Sequence, residues 1–177
     1  MINIIRKWLR LILVAAIVFG IDQLAKAWVV ASMAVGETIE IIPPLAPYFQ
    51  LTRVTNTGIA FGMFTGGNLV LLLLTSIVVI ILLVIYHSLP PQLRLQQIAF
   101  AMIIGGALGN IVDRIRFGHV VDFVHVIIPN VVSNVSNFAD HFVVIGVLLI
   151  LLDTFLHERR ENDKIAESEP ISAEGSD

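Results

Sequence analysis

Residues 68–86 read NLVLLLLTSIVVIILLVIY, without one charged side chain. A helix needs roughly 20 mostly apolar residues to cross a bilayer, and within lipid the backbone must satisfy its own hydrogen bonds. The run therefore predicts a membrane-spanning helix. Three more segments qualify, at about 8–33, 93–112 and 138–156. None alternates apolar and polar residues along its length, as a half-buried strand would. With 56% hydrophobic residues over 177, the composition is that of an integral membrane protein. The expected fold class is all-α integral membrane with four transmembrane helices.

The first span has the basic start and apolar centre of a signal peptide, and AKA at 25–27 resembles a cleavage site. Apolar character continues beyond it, however, and Asp22 and Lys26 interrupt the run. It is read as a retained span. Orientation follows the positive charges. Arg6, Lys7 and Arg10 precede span one, and Arg159, Arg160 and Lys164 follow span four. Both termini are expected in the cytoplasm, with loops 34–67 and 113–137 outside. Arg114 and Arg116 run mildly against that rule, which suggests a specific use for them.

The membrane domain is expected over 1–157. Segment 158–177 holds seven acids and three bases without apolar periodicity, and reads as a disordered acidic cytoplasmic tail. The remaining chain is close to neutral, so nothing favours nucleic acid. The chain has no cysteine, which excludes disulfides and thiol chemistry. Within the external loops, YFQLTRV and HVVDFVHVII carry weak strand signals. They predict a small extracytoplasmic β element resting on the bundle. In span three, Ala101, Gly105 and Gly109 form a small-residue face suited to close helix packing.

Polar residues gather near one membrane interface: Asp22 and Lys26 in the outer half of span one, and Asn56 in the first external loop. Asn110, Asp113 and Arg114 close span three, Asp122 lies just beyond, and Asn137 and Asp140 open span four. Most have an ordinary structural reading. Asp22 and Lys26 suit a helical i,i+4 ion pair, Asp113 can help terminate a helix, and Asn137 with Asp140 resembles a helix N-terminal box. Asp122, set between Val121 and Phe123, has no such role. Two carboxyls sharing a site titrate apart, so one takes a proton from water while the other donates to a carbonyl oxygen. That is the chemistry of aspartic peptide hydrolysis. A metal site from His119, Asp122, His125 and His141, or a Ser–His pair from Ser133 or Ser136 with His141, lacks the usual motifs. No metal or cofactor is expected. A proton-coupled transporter is the competing reading, but it would want polar groups through the full membrane depth.

In order along the chain stand DQLAK at 22–26, NTGIAFG from Asn56, GALGNIVDR at 106–114, VVDF with Asp122 and NFAD with Asp140. This set resembles the lipoprotein signal peptidases, or signal peptidase II, over nearly the whole chain up to the acidic tail. The resemblance implies an aspartic endopeptidase of the bacterial cytoplasmic (inner) membrane, with its site at the outer, periplasmic face. Asp122 and Asp140 would be catalytic. Its substrates would be prolipoproteins whose cysteine bears diacylglycerol, cut just before that cysteine among membrane lipids. Asn56, Gly58, Asn110, Arg114 and Asn137 would line or support the site, a β-cradle would lie over it, and globomycin would inhibit it. Asp22, Lys26 and Asp113 are expected to be structural. Two departures stand out: Ser136 where the family usually has Phe, and His141 where a small residue is common.

Overall fold

The computed structural model describes residues 2–58, 67–129 and 131–168. Helices α1 (Ile2–Ser32), α2 (Gly67–Ser88), α3 (Arg94–Phe117) and α4 (Phe138–Ser168) frame strands β1 (Thr38–Ile39), β2 (Phe49–Asn56), β3 (Val120–Ile128) and β4 (Val132–Ser136). Three of the described helices, α2, α3 and the first part of α4, are long and apolar enough to cross a membrane. The protein is mostly helical, multi-pass, and carries one small antiparallel sheet.

α3 is the central helix. Its apolar stretch is 61% buried, against 11% for that of α2. The difference follows from side-chain size. Small residues let neighbouring backbones approach where lipid supplies no hydrophobic drive between helices. A Cβ on Gly105 would stand 2.7 Å from the carbonyl oxygen of Ala15 on α1, and one on Gly106 2.5 Å from that of Ala139 on α4. The small-residue face thus serves α1, while Gly106, next in sequence, serves α4. The large residues Leu69, Leu73, Ile80 and Val84 of α2, and Leu148, Leu151 and Phe155 of α4, point outward, as lipid-facing surfaces do.

The strands run in the order β1-β2-β3-β4. The two longer ones match the strand signals in the sequence; β1 and β4 are too short to announce themselves. Register between β2 and β3 shifts between Leu51 and Val54. Such an irregularity re-aims the side chains beyond it, and here Val54 comes opposite Asp122 with Asn56 two residues further along the same face. Arg53, at the shift, donates from Nη1 to the carbonyls of Val30 (3.2 Å) and Met33 (2.5 Å). A cation on the last carbonyls of a helix is favourable, and this one ties the sheet to the end of α1.

α3 runs through Asp113 and Arg114 to Phe117, further than the apolar run alone implied. It ends at Gly118, whose φ of 76° is left-handed and whose N–H donates to Arg114 O at 3.1 Å. That turn feeds directly into β3. α4 continues past residue 156 to Ser168, into the segment assigned to the tail. HERRENDKIAES is poor in core residues but rich in helix formers, which the composition argument did not weigh.

Candidate active site

Five elements bring the polar groups together: α1, the end of β2, the C-terminal end of α3, the start of β3 and the start of α4. Asn137 stands before the first residue of α4 as its N-cap. Its Oδ1 accepts from the backbone N–H of Asp140 at 3.0 Å, the usual N-cap contact. That contact fixes the amide, so Nδ2 points the other way and donates to Asp122 Oδ1 at 2.6 Å. The helix-box reading of Asn137 thus matches its cap contact, and the same amide also holds Asp122.

Asp122 is 1% exposed. Its second oxygen accepts from Asn56 Nδ2 at 2.7 Å. Asn56 is oriented by Gly58, whose N–H donates to Asn56 Oδ1 at 2.7 Å and whose φ is 75°. A side chain at position 58 would be strained by that left-handed backbone. Burial pushes the Asp122 carboxyl up to about 6, outweighing the two amide donors, with the charge of Asp140 adding to the rise. Asp140 is half-buried and accepts from Asn110 Nδ2 at 2.8 Å. It lines an open cavity of about 400 Å³ together with Asn56, Ser136 and His141. Among the described residues the two carboxyls share no hydrogen bond of their own; they are joined through two amides, Asn137 donating both to Asp122 Oδ1 and, at 3.2 Å, to Asn110 Oδ1, while Asn110 donates to Asp140.

Behind Asn110 lies a buried cluster. Lys26 Nζ stands 2.8 Å from Asp22 Oδ2, 2.9 Å from Asp113 Oδ2 and 2.9 Å from Asn110 Oδ1. An ammonium has three protons, and each has one acceptor here. The third contact orients Asn110: its oxygen must face the cation, so its NH₂ must face Asp140. Asp22 Oδ1 accepts from the N–H of Ala139 at 2.9 Å, satisfying a donor that α4 leaves unpaired at its start. Asp113 Oδ2 accepts from the N–H of Val121 at 3.2 Å. The cluster thus positions the segments carrying both candidate carboxyls.

Arg114 lies near Asp140, Asp122 and Asp113, close enough for their charges to act on it. Its Nη2 sits 3.9 Å from where a Gly58 Cβ would be, so it runs beneath the Gly58 turn. The part of NTGIAFG beyond Gly58 lies outside the described residues. Gln23, within DQLAK but not singled out, donates to Asp113 Oδ1 at 2.9 Å. Asn68 donates to Arg114 O at 3.3 Å. Gln23 is a polar residue within an apolar helix and Asn68 stands in the first turn of another, the one signal that marked them.

The hydrogen bonds of His125 and His141 go to neither candidate carboxyl. His125 Nδ1 is 2.9 Å from Thr52 Oγ1 and Nε2 is 2.9 Å from Ser133 Oγ, a cross-strand chain on the sheet. His141 Nδ1 donates to Asn137 O at 2.6 Å. Ser133 meets His125, not His141, and the third partner is a hydroxyl where a hydrolytic triad has a carboxylate. Among the described residues no three His, Asp or Glu side chains cluster to hold a metal ion.

Comparison with known proteins bears on this arrangement. The family model for signal peptidase (SPase) II matches residues 14–156. The lipoprotein signal peptidase of Trichormus variabilis is 43% identical over 144 residues, covering 81% of this chain and 88% of that protein. That of Bartonella tribocorum is 35% identical over 165 residues, covering 90% and 96%. A bacterial membrane enzyme solved by the in meso method at 2.3 Å resolution superposes with a TM-score of 0.71 at 28% identity, covering 93% of this chain and 94% of its own. A second, at 1.9 Å, gives a TM-score of 0.73 at 32% identity, covering 80% and 90%. The matched residues run from the first helix through the last of the site residues, and the chain belongs to the signal peptidase II family.

Proposed function

We propose that this peptidase is a membrane aspartic endopeptidase. It removes signal peptides from prolipoproteins carrying a diacylglyceryl cysteine, cutting just before that cysteine. The observation that carries the reading is the Asn137 bridge: its Nδ2 donates to the Asp122 carboxyl while its Oδ1 accepts from the backbone N–H of Asp140, holding the two residues in one hydrogen-bonded unit. Asp140 sits in the first turn of α4, where the helix dipole favours negative charge. Asp122 is buried and raised to about 6, so it is the partner that more readily holds a proton.

Water binds in the open cavity at Asp140. As its oxygen attacks the scissile carbonyl carbon, Asp140 takes one proton from it. Asp122 gives its proton to the carbonyl oxygen, in place of the amide hydrogen it accepts from Asn56. The tetrahedral intermediate then collapses: the C–N bond breaks, Asp140 protonates the leaving nitrogen, and Asp122 recovers its proton. This division of labour follows the general pattern of a carboxyl pair whose environments separate their pKa values.

In the same reading α1 is a fourth span. Its 31 residues reach about 46 Å at the helical rise, enough for the hydrocarbon core. Both termini lie in the cytoplasm of a bacterium, and the site lies at the outer face of the inner membrane, where a lipid-anchored substrate presents its scissile bond. Arg114 contacts the substrate backbone, and globomycin competes for the cavity.

The test is a purified-protein assay on a diacylglyceryl prolipoprotein and its unlipidated form. The lipidated form alone is cut, and Asp122→Asn or Asp140→Asn abolishes cleavage while the protein still inserts. Normal cleavage by either variant would sink the dyad.

A further inference from the structure

A second cavity begins at His141, which lines the Asp140 cavity as well. Its volume is about 460 Å³, and Trp28, Ile41, Phe49, Leu51, Phe123 and Phe138 make it apolar. Its depth in the molecule is fixed by sequence neighbours. Ala25, on its wall, precedes Lys26; Phe123 follows Asp122; Phe138 and His141 bracket Asp140. The cavity therefore lies level with the two carboxyls, between the outer end of α1, the sheet and the start of α4. Phe123 and Phe138 meet edge to face at 5.1 Å between ring centroids, so two packed aromatic rings form that wall. A larger apolar groove, about 530 Å³, runs along α1, α2 and α3 past Leu11, Ala15 and Val79. It shares no residue with the carboxyl site, so its position matches ordinary lipid contact.

This inference rests on the peptidase reading. In such a substrate the lipidated residue is the one immediately after the scissile bond. Its thioether sulfur is only a few covalent bonds from the attacked carbon. An apolar cavity sharing a wall with the catalytic cavity is then within reach of the lipid when the peptide is seated. We propose that this cavity is an acyl-chain subsite, which takes one of the two fatty acyl chains of the substrate's cysteine. The second chain stays in the bilayer. Burying that chain beside the reacting bond fixes the register of the peptide, since sliding by one residue withdraws the chain from its slot. The subsite thus contributes to choosing which bond is cut, in addition to retaining the substrate.

The experiment compares two lipopeptides of one peptide sequence, carrying dipalmitoyl and dihexanoyl glyceryl groups, in the same micelles. Ala25→Phe fills the cavity from α1. It is expected to raise KM for the dipalmitoyl substrate at least about tenfold, the scale of lost methylene contacts in an apolar pocket, and to leave kcat and the dihexanoyl KM unchanged. Equal effects on both substrates, or none on either, would overturn the subsite. Because a filled variant can fail to fold, the unaltered protein is also labelled with a dipalmitoyl lipopeptide bearing a diazirine near the end of one acyl chain. Labels at Trp28 or Phe138 support the proposal; labels confined to the groove around Leu11 and Val79 overturn it. If the unaltered protein cuts neither lipopeptide, the peptidase reading itself fails. If it cuts both and the variant does not discriminate, only the acyl subsite fails.

Discussion

Asn137 Nδ2 lies 2.6 Å from Asp122 Oδ1 while the same residue caps the helix that starts at Phe138. The two contacts separate by mutation. Asn137→Ser retains an N-cap and is expected to keep thermal stability close to that of the parent, whereas Asn137→Ala loses about 1 kcal/mol. Both lose the donor to Asp122 and are expected to drop kcat by about 100-fold or more, the scale for one preorganised donor in a dry site. Unfolding midpoints and kcat, measured together, decide it: a serine variant with normal turnover would refute the bridge.

Lys26 offers a sharper contrast. Lys26→Met leaves Asp22 and Asp113 buried without their cation, a loss of about 3–5 kcal/mol. Lys26→Arg keeps the charge, yet a planar guanidinium does not reproduce three contacts converging on one nitrogen. It is expected to fold and to show reduced kcat with a nearly unchanged KM, because Asn110 loses the contact that aims its NH₂ at Asp140. An arginine variant with full turnover would show that orienting Asn110 does not matter.

The raised Asp122 carboxyl makes stability depend on pH with a definite sign. Unfolded, it titrates near its ordinary value of about 3.9; folded, at about 6. Its contribution is fully present below the unfolded value and is lost as pH rises through the folded one. The loss is on the order of 3 kcal/mol for a shift of this size. The melting temperature in detergent is therefore expected to fall between pH 4 and pH 7 more steeply for the parent than for Asp122→Asn. Parallel curves would contradict the assignment.

Two glycines in the helices make a paired packing test. Gly106→Ala drives a methyl to 2.5 Å from Ala139 O, and overpacking of this kind typically costs about 1–3 kcal/mol. Since Ala139 adjoins Asp140, turnover falls with it. Gly20→Ala meets nothing within 4 Å and is expected to be neutral or to gain about 0.5–1 kcal/mol from helix propensity. Thermal midpoints of the two variants, side by side, check the claim that α3 is packed on glycine.

Much of this arrangement was legible beforehand because lipid makes polar groups conspicuous. Asp122 in a β-branched run and Asp140 opening an apolar helix announce themselves by their expense. Asn137 was visible as a cap, since capping chemistry is local. What the sequence hid is the geometry that joins distant segments. Lys26 was readable as the partner of Asp22 four residues away, but its contacts with Asp113 and Asn110 depend on how closely α1 approaches α3. The register shift between Leu51 and Val54, which brings Asn56 to Asp122, leaves no mark in an alternating pattern. The extension of α4 to Ser168 was missed because charge density was weighed and helix propensity was not.

The bond from Asp22 to the start of α4 has a consequence in time. Residue 22 is made early and residue 139 late, 117 positions apart. The last helix therefore receives its anchor from the first only when both have been made. A partly made chain holds Asp122 without Asn137 and Asp140, and holds a charged cluster with one acceptor still waiting. On the proposed mechanism, proteolytic competence is thus withheld until α4 has been made.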